Sequence, residues 1–205
     1  MNILMISGSP HPNGNTAIAL AEMKKIFDAE GVDTTIIQVG NKAVHGCIGC
    51  GSCYEKGKCI FDDDVNKAAQ LFEKADGMVV ASPVYYASAN GTLVSFLDRL
   101  FFSTHFDKTM KVGASVAVAR RGGCTATFDQ LNKYFTICGM PVASSQYWNM
   151  AHGRAPGEAA QDAEGLQTMR VLARNMVFLI KSIALGKEKY GLPETEPWTA
   201  TNFIR

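Results

Sequence analysis

Ile3-Leu4-Met5-Ile6-Ser7-Gly8-Ser9-Pro10-His11-Pro12-Asn13-Gly14-Asn15-Thr16 decides the fold. Residues 3–7 are apolar without alternation, as in a strand covered on both faces, and a Gly/Pro/Asn loop halts them. Beyond the loop, residues 16–30 space Ile18, Leu20, Ala21, Met23, Ile26 and Phe27 at helical intervals, with Gly31 as a stop. A buried strand that turns straight into an amphipathic helix is the first half of a βαβ unit. The pattern then repeats. Residues 34–39, 77–82, 112–119 and 141–145 read as strands two to five, and Pro83 ends the third. Residues 65–74, 93–102, 127–138 and 162–185 read as helices, the first opened by Asp62, Asp63 and Asp64 as cap residues. Five apolar strands separated by helices predict right-handed crossovers and a parallel sheet with helices on both faces, an α/β three-layer sandwich.

The 205 residues suit one domain, and 47% hydrophobic against 19% charged residues gives material for one substantial core. A net charge of +1 supplies no field for nucleic acid or an anionic membrane, so the expected partner is a small molecule or a protein. Residues 2–6 are too short for the apolar part of a secretory leader and lack a basic start. The strongest apolar stretch, residues 176–180, is far below the ~20 residues of a membrane span. A cytoplasmic location follows as the expectation, with thiols kept reduced. The domain is expected to occupy residues 1–185, including a cysteine-rich loop at 46–59. Residues 186–205 form a tail in which Gly191, Pro193 and Pro197 break helix, while Trp198 and Phe203 offer apolar anchors on the domain or on a second subunit.

In an open parallel sheet the ligand sits beyond the carboxyl ends of the strands. After strand one, the glycine- and hydroxyl-bearing loop 7–16 opens a helix and so presents free N–H groups to a phosphate. It has no lysine before Thr16, so it is not a nucleotide-hydrolysing P-loop, and no Gly-x-Gly-x-x-Gly marks a dinucleotide site. After strand three, Pro83-Val84-Tyr85-Tyr86 puts two aromatics where a planar ring would lie. After strand four, Arg120-Arg121-Gly122-Gly123 combines cations with glycines that permit close backbone approach.

Between strand two and its helix, Cys47, Cys50, Cys53 and Cys59 follow a Cys-x₂-Cys-x₂-Cys-x₅-Cys spacing among Gly46, Gly49, Gly51 and Gly57. Three cysteines at intervals of three let one short loop wrap an iron–sulfur cube, as in the bacterial ferredoxin run, although the last gap here is longer. A structural zinc site would more often use two separated pairs. Cys124 and Cys138 read as small buried apolar residues, although Cys124 lies in a loop on the ligand side, where contact with the ligand is the alternative. His11 is either a donor in the first loop or a surface residue. His45 flanks the cysteine run as an outer neighbour or an exposed residue, His105 and His152 carry no assigned role, and Asp98-Arg99 reads as a structural pair or a helix-surface contact rather than an acid–base couple.

Together, Gly8-Ser9-Pro10, Asn13-Gly14-Asn15-Thr16, Ser82-Pro83-Val84-Tyr85-Tyr86 and Phe96-Leu97-Asp98-Arg99 resemble the flavodoxin-like NAD(P)H-dependent FMN reductase family, including its iron–sulfur flavoprotein branch. The resemblance implies a five-stranded parallel sheet in the order 2-1-3-4-5. It places Ser9, His11, Gly14, Asn15 and Thr16 at the FMN phosphate. Pro83, Val84, Tyr85 and Tyr86 fall along the isoalloxazine, and Arg120, Gly122 and Gly123 over its other edge. It implies NAD(P)H as hydride donor, a small-molecule or protein electron acceptor, and a homodimer or homotetramer. The cysteine run looks like the compact motif that holds a [4Fe–4S] cluster in the iron–sulfur branch. Relatives without a cluster keep a similar loop whose cysteines line the flavin pocket or a subunit contact, so both readings stand. A flavodoxin-type carrier is the alternative to a reductase, but flavodoxins are strongly acidic and this chain is near neutral. A zinc-binding structural or sensory module is the third.

Overall fold

The computed structural model describes residues 1–197, 199–201, 203 and 204. Its elements are β1 (Asn2–Ser7), α1 (Asn15–Ala29), β2 (Asp33–Gln38), α2 (Ser52–Lys56), α3 (Asp64–Lys74), β3 (Gly77–Tyr85), β4 (Ser88–Ala89), α4 (Gly91–Ser103), β5 (Val112–Ala119), α5 (Cys124–Thr136), β6 (Met150–His152) and α6 (Ala163–Tyr190), with a 3₁₀ turn at Glu158–Gln161. The sheet runs β2-β1-β3-β5-β6 with parallel pairing throughout. That is the expected order for the five main strands. The added β4 folds back antiparallel on β3.

Side-chain alternation divides the interior in two. On β1, Ile3 and Met5 face a cluster with Met23 and Phe27 of α1 and with Met169, Leu172 and Met176 of α6. Leu4 and Ile6 face the opposite cluster, with Phe72 of α3, Phe96 and Leu100 of α4 and Phe135 of α5. All eight residues of β5 are buried, whereas β2, at the sheet edge, is mostly half-buried or exposed. This explains why the central strands read as unbroken apolar runs.

Three local readings need correction. The fifth strand was expected at residues 141–145, but that segment makes one bridge, Gly113 to Val142, and then leaves the sheet. Its polar residues find other partners: Ser145 Oγ donates to Thr168 O (2.7 Å) and Asn175 Nδ2 to Ser144 O (2.8 Å), both on α6. The parallel ladder resumes at β6, against Ala117–Ala119. Second, the cysteine run is not all loop, because α2 forms within it. Third, the last helix passes residue 185 and ends at Tyr190. Gly186 alone costs only about 1 kcal/mol in a helix, and Gly191, at φ 77°, makes the stop. Of the tail anchors, Trp198 lies outside the described residues, and Phe203 is 90% exposed. Among the described residues no helix is long and apolar enough to cross a membrane.

Candidate functional site

A cleft of about 580 Å³ opens at the carboxyl ends of β1, β3, β5 and β6. Its first wall is the loop from Ser9 to Thr16. Gly14 caps α1 without any side-chain hydrogen bond, so the free N–H groups of the first turn stay available at the cleft. Ser9 is buried, and its Oγ accepts from His11 N (3.1 Å), which holds the loop in a tight bend. Thr16 is also buried, at 2% exposure. Of the residues expected at a phosphate, Ser9, His11, Gly14, Asn15 and Thr16 all line the cleft.

Asn15 is nevertheless already engaged. Its Nδ2 donates to Ala155 O and its Oδ1 accepts from Ala159 N, both at 3.0 Å. Its amide therefore ties the loop after β6 to the start of α1 and brings Gly153, Arg154 and Pro156 into the cleft wall. A Cβ on Gly153 would stand 2.7 Å from Ala159 N and 2.8 Å from Asn15 Nδ2, so this approach requires glycine. Arg154 and Gly153 were not recognised in the sequence. They reach the site through a contact across 140 residues of chain, which leaves no local signal.

The second wall is the β3–β4 hairpin. Pro83, Val84 and Tyr85 line the cleft. Tyr86 does not: it stands at the hairpin tip, fully exposed, and with Ala87 forms a two-residue turn at φ 50° and 57°. Two positive φ values are what a tight hairpin demands, and they swing Tyr86 outward. Arg120, just past β5, is at the cleft, whereas Gly122 and Gly123 are not among its lining residues. Gly123, at φ 91°, instead packs against Val84 and Ala87 and caps α5. Cys124 follows it, buried against Ala117 and Ala119, and burial pushes its thiol pKa up. Asn90, also not recognised as functional, joins the two walls. Its Nδ2 donates to Gly8 O (2.7 Å), its N to Ser82 Oγ (2.9 Å), and its Oδ1 caps α4 at Thr92 N (2.9 Å).

The cysteine run forms a separate pocket against α4. Cys47, Cys50, Cys53 and Cys59 all line it, together with Phe61, Arg99 and Ser103. Cys53 is buried, Cys59 is half-buried, and Cys47 and Cys50 are exposed. Gly51 and Gly57, at φ 71° and 65°, flank α2 and allow the chain to wrap. The backbone N–H of Ser52 draws the Cys50 thiol below its ordinary range. Among the described residues, no three His, Cys, Asp or Glu side chains stand close enough to share one metal ion.

Of the two readings of Asp98-Arg99, the pair does not form; Asp98 is exposed and makes a surface contact, accepting from Tyr134 Oη (2.5 Å). Arg99 turns inward, 1% exposed, and grips Asp63 through Nη1 (2.6 Å) and Nη2 (2.9 Å). Its guanidinium lies 4.8 Å above the Phe61 ring, which stacks on His45 at 4.6 Å. Its Nε donates to Cys59 Sγ (3.2 Å). Burial opposes the charge, but Asp63 and Cys59 outweigh it and hold the guanidinium above its ordinary pKa.

An α/β sheet with this order, a cleft at its carboxyl edge and a phosphate-type loop opening α1 define a flavodoxin-like protein. Comparisons narrow the class. Residues 1–155 match the NADPH-dependent FMN reductase family, and the chain belongs to that family. An iron–sulfur flavoprotein of Methanocaldococcus jannaschii is 35% identical over 191 residues, covering 89% of this chain and 99% of that one. An iron–sulfur flavoprotein of Methanosarcina thermophila is 28% identical, covering 92% and 100%. RosB, solved with a bound 8-demethyl-8-formylriboflavin-5'-phosphate intermediate, superposes with a TM-score of 0.68 at 14% identity, over 100% of this chain and 94% of that one. A flavodoxin from the domain Archaea gives 0.59 at 15% identity, over 88% and 99%. The last two establish likeness of fold. Family membership brings FMN as cofactor and flavin oxidoreduction as the class of chemistry.

Proposed function

We propose that the protein passes electrons from NAD(P)H through FMN in the β1/β3/β5/β6 cleft to an acceptor, with a [4Fe–4S] cluster on the cysteine run. The observation that carries this is the pairing, in one chain, of an FMN-sized cleft with a second pocket ringed by four thiols. Bound FMN supplies two-electron hydride chemistry, and the cluster supplies one-electron exchange. The chain's own residues bind and orient. Ser9, Gly14, Thr16 and the first N–H groups of α1 hold the terminal phosphate, with Arg154 as the nearby cation. Pro83, Val84 and Tyr85 bound the ring on one side and Arg120 on the other. Hydride transfer requires no side-chain base, and no residue is assigned as one.

The cysteine spacing favours a cluster over zinc: a structural zinc site more often uses two separated pairs, whereas three cysteines at intervals of three with a fourth nearby let one short segment wrap a cube. All four line one pocket. The names of the two methanogen relatives point the same way. Reduced thiols fit a cytoplasmic setting. Phe178 and Leu185, exposed on one face of α6, support assembly as a homodimer or homotetramer, which light scattering tests.

The test is anaerobic mixing with NADH and, separately, NADPH. A reductase bleaches the flavin absorbance near 450 nm within seconds (order of magnitude from typical enzyme turnover). Bleaching by dithionite but by neither nicotinamide rejects the NAD(P)H assignment in favour of an electron carrier.

A further inference from the structure

We propose that α4 presents two hydrogen-bond donors to the sulfur atoms of the cluster, Arg99 through Nε–H and Ser103 through its hydroxyl, and that they raise its reduction potential. The inference rests on the cluster reading above and adds residues to it. Arg99 and Ser103 lie four positions apart, one above the other on a single face of α4, and both line the cysteine pocket.

Arg99 is fixed in place. Its two terminal nitrogens hold Asp63, Nη1 also reaches His45 O (3.3 Å) and Nη2 also reaches Phe61 O (3.5 Å). Asp63 is itself anchored as the cap of α3, with Oδ1 accepting from Val65 N (3.1 Å). Only Nε–H remains, and it points at Cys59 Sγ. The positive charge is matched by Asp63, so what reaches the sulfur is an oriented N–H dipole.

Ser103 provides the independent observation. It is 3% exposed, and its Oγ is buried with no hydrogen-bond partner among the described residues. A helical hydroxyl that does not reach solvent can bond back to the carbonyl four residues earlier. The neighbouring Thr104 does this, with Oγ1 donating to Leu100 O (2.7 Å). Ser103 does not, and it borders the pocket that the four thiols share. Ser7, Thr34 and Thr127 also carry buried hydroxyls without a partner among the described residues, but of the four Ser103 is the one that borders the thiols, and such a group calls for an acceptor. A thiolate or sulfide sulfur in that pocket is the acceptor the geometry provides.

Adding one electron to a cluster raises the negative charge on its sulfurs, so donors to those sulfurs stabilise the reduced form. No bond is made or broken; dithionite supplies the electron in the test. The full chain and its Ser103→Ala, Ser103→Thr and Arg99→Lys variants are reconstituted anaerobically with iron and sulfide. Iron and sulfide content is measured, and each protein is titrated with dithionite while the cluster spectrum is followed. At the potential where the native cluster is half reduced, Ser103→Ala is expected to show a reduced-to-oxidised ratio about three- to tenfold lower, tenfold being about 59 mV for one electron. Ser103→Thr, which keeps the hydroxyl, is expected to stay within about twofold of native, well inside the 59 mV decade. Arg99→Lys is expected to shift in the same direction as Ser103→Ala and to release iron faster. A fully loaded Ser103→Ala protein that titrates at the native potential overturns the proposal. Native chain that takes up no iron and sulfide overturns the cluster reading itself, and the inference with it.

Discussion

Asn15 and Thr16 sit side by side at the start of α1 with different tasks. Both read as phosphate ligands, because neighbouring polar residues at a helix start look alike in sequence. The amide of Asn15 is committed to Ala155 and Ala159, while Thr16, buried at the cleft wall, is the one of the two proposed to contact the phosphate. Thr16→Ala should weaken FMN binding about tenfold, the loss of one charge-assisted hydrogen bond of about 1.5 kcal/mol, and leave riboflavin affinity unchanged. Flavin fluorescence quenching on the apoprotein measures both. Arg99 shows the opposite failure of local reading. A pair with its neighbour Asp98 was one of two readings, yet helical geometry points adjacent residues apart, and the true partner, Asp63, is 36 positions away. Losing one member of a buried pair costs about 3–5 kcal/mol, and less here because the Asp63 side chain is 32% exposed. Arg99→Met should therefore lower stability by about 2–3 kcal/mol, read from the urea midpoint.

Among the elements, α4 links the two sites. Asn90 at its start joins the walls of the flavin cleft, and Arg99 and Ser103 at its end border the cysteines. The helices and central strands were legible because periodicity of 3.6 or unbroken apolarity is strong over ten residues. The fifth strand was misplaced because residues 141–145 and β6 are both short, and long-range bonds to α6 decide which one extends the ladder. The hairpin tip carries strain: Ala87 at φ 57° pays a steric cost that glycine does not. Ala87→Gly should stabilise the protein by about 0.5–1 kcal/mol, visible as a higher Tm. Helices α1 and α6 are pinned by Glu22, which accepts from Lys25 (2.7 Å) and from Arg170 (2.6 Å). Lys25 first, then Arg170, lower its pKa below the ordinary 4.5. A carboxylate depressed in the folded state contributes stability that is present above the unfolded value. It is lost as pH falls below about 4.5 and through the folded value. Glu22→Gln should flatten that acid limb in urea unfolding at pH 3 to 6, a window set by the glutamate range, and native and variant curves should converge at its lower end.

At the scale of the molecule, five loops leave the carboxyl ends of parallel strands. Four of them build the flavin cleft, and the fifth, after β2, carries the cysteines. The loops after β1, β3 and β5 were legible as walls of the cleft, since an open parallel sheet offers its ligand site at one edge only; the loop after β6 was not, because that strand is three residues long and the sequence reading placed it at 141–145. What the sequence concealed were contacts between loops, such as Arg154 beside the first loop and Arg99 beneath Cys59, because nothing local encodes them. The most direct test of the account is flavin, iron and acid-labile sulfide analysis on a single anaerobically purified sample. The expected composition is about one FMN, four iron and four sulfide per chain, following the proposed cofactor and cluster type. A colourless chain that remains free of all three after incubation with FMN, iron and sulfide would contradict it.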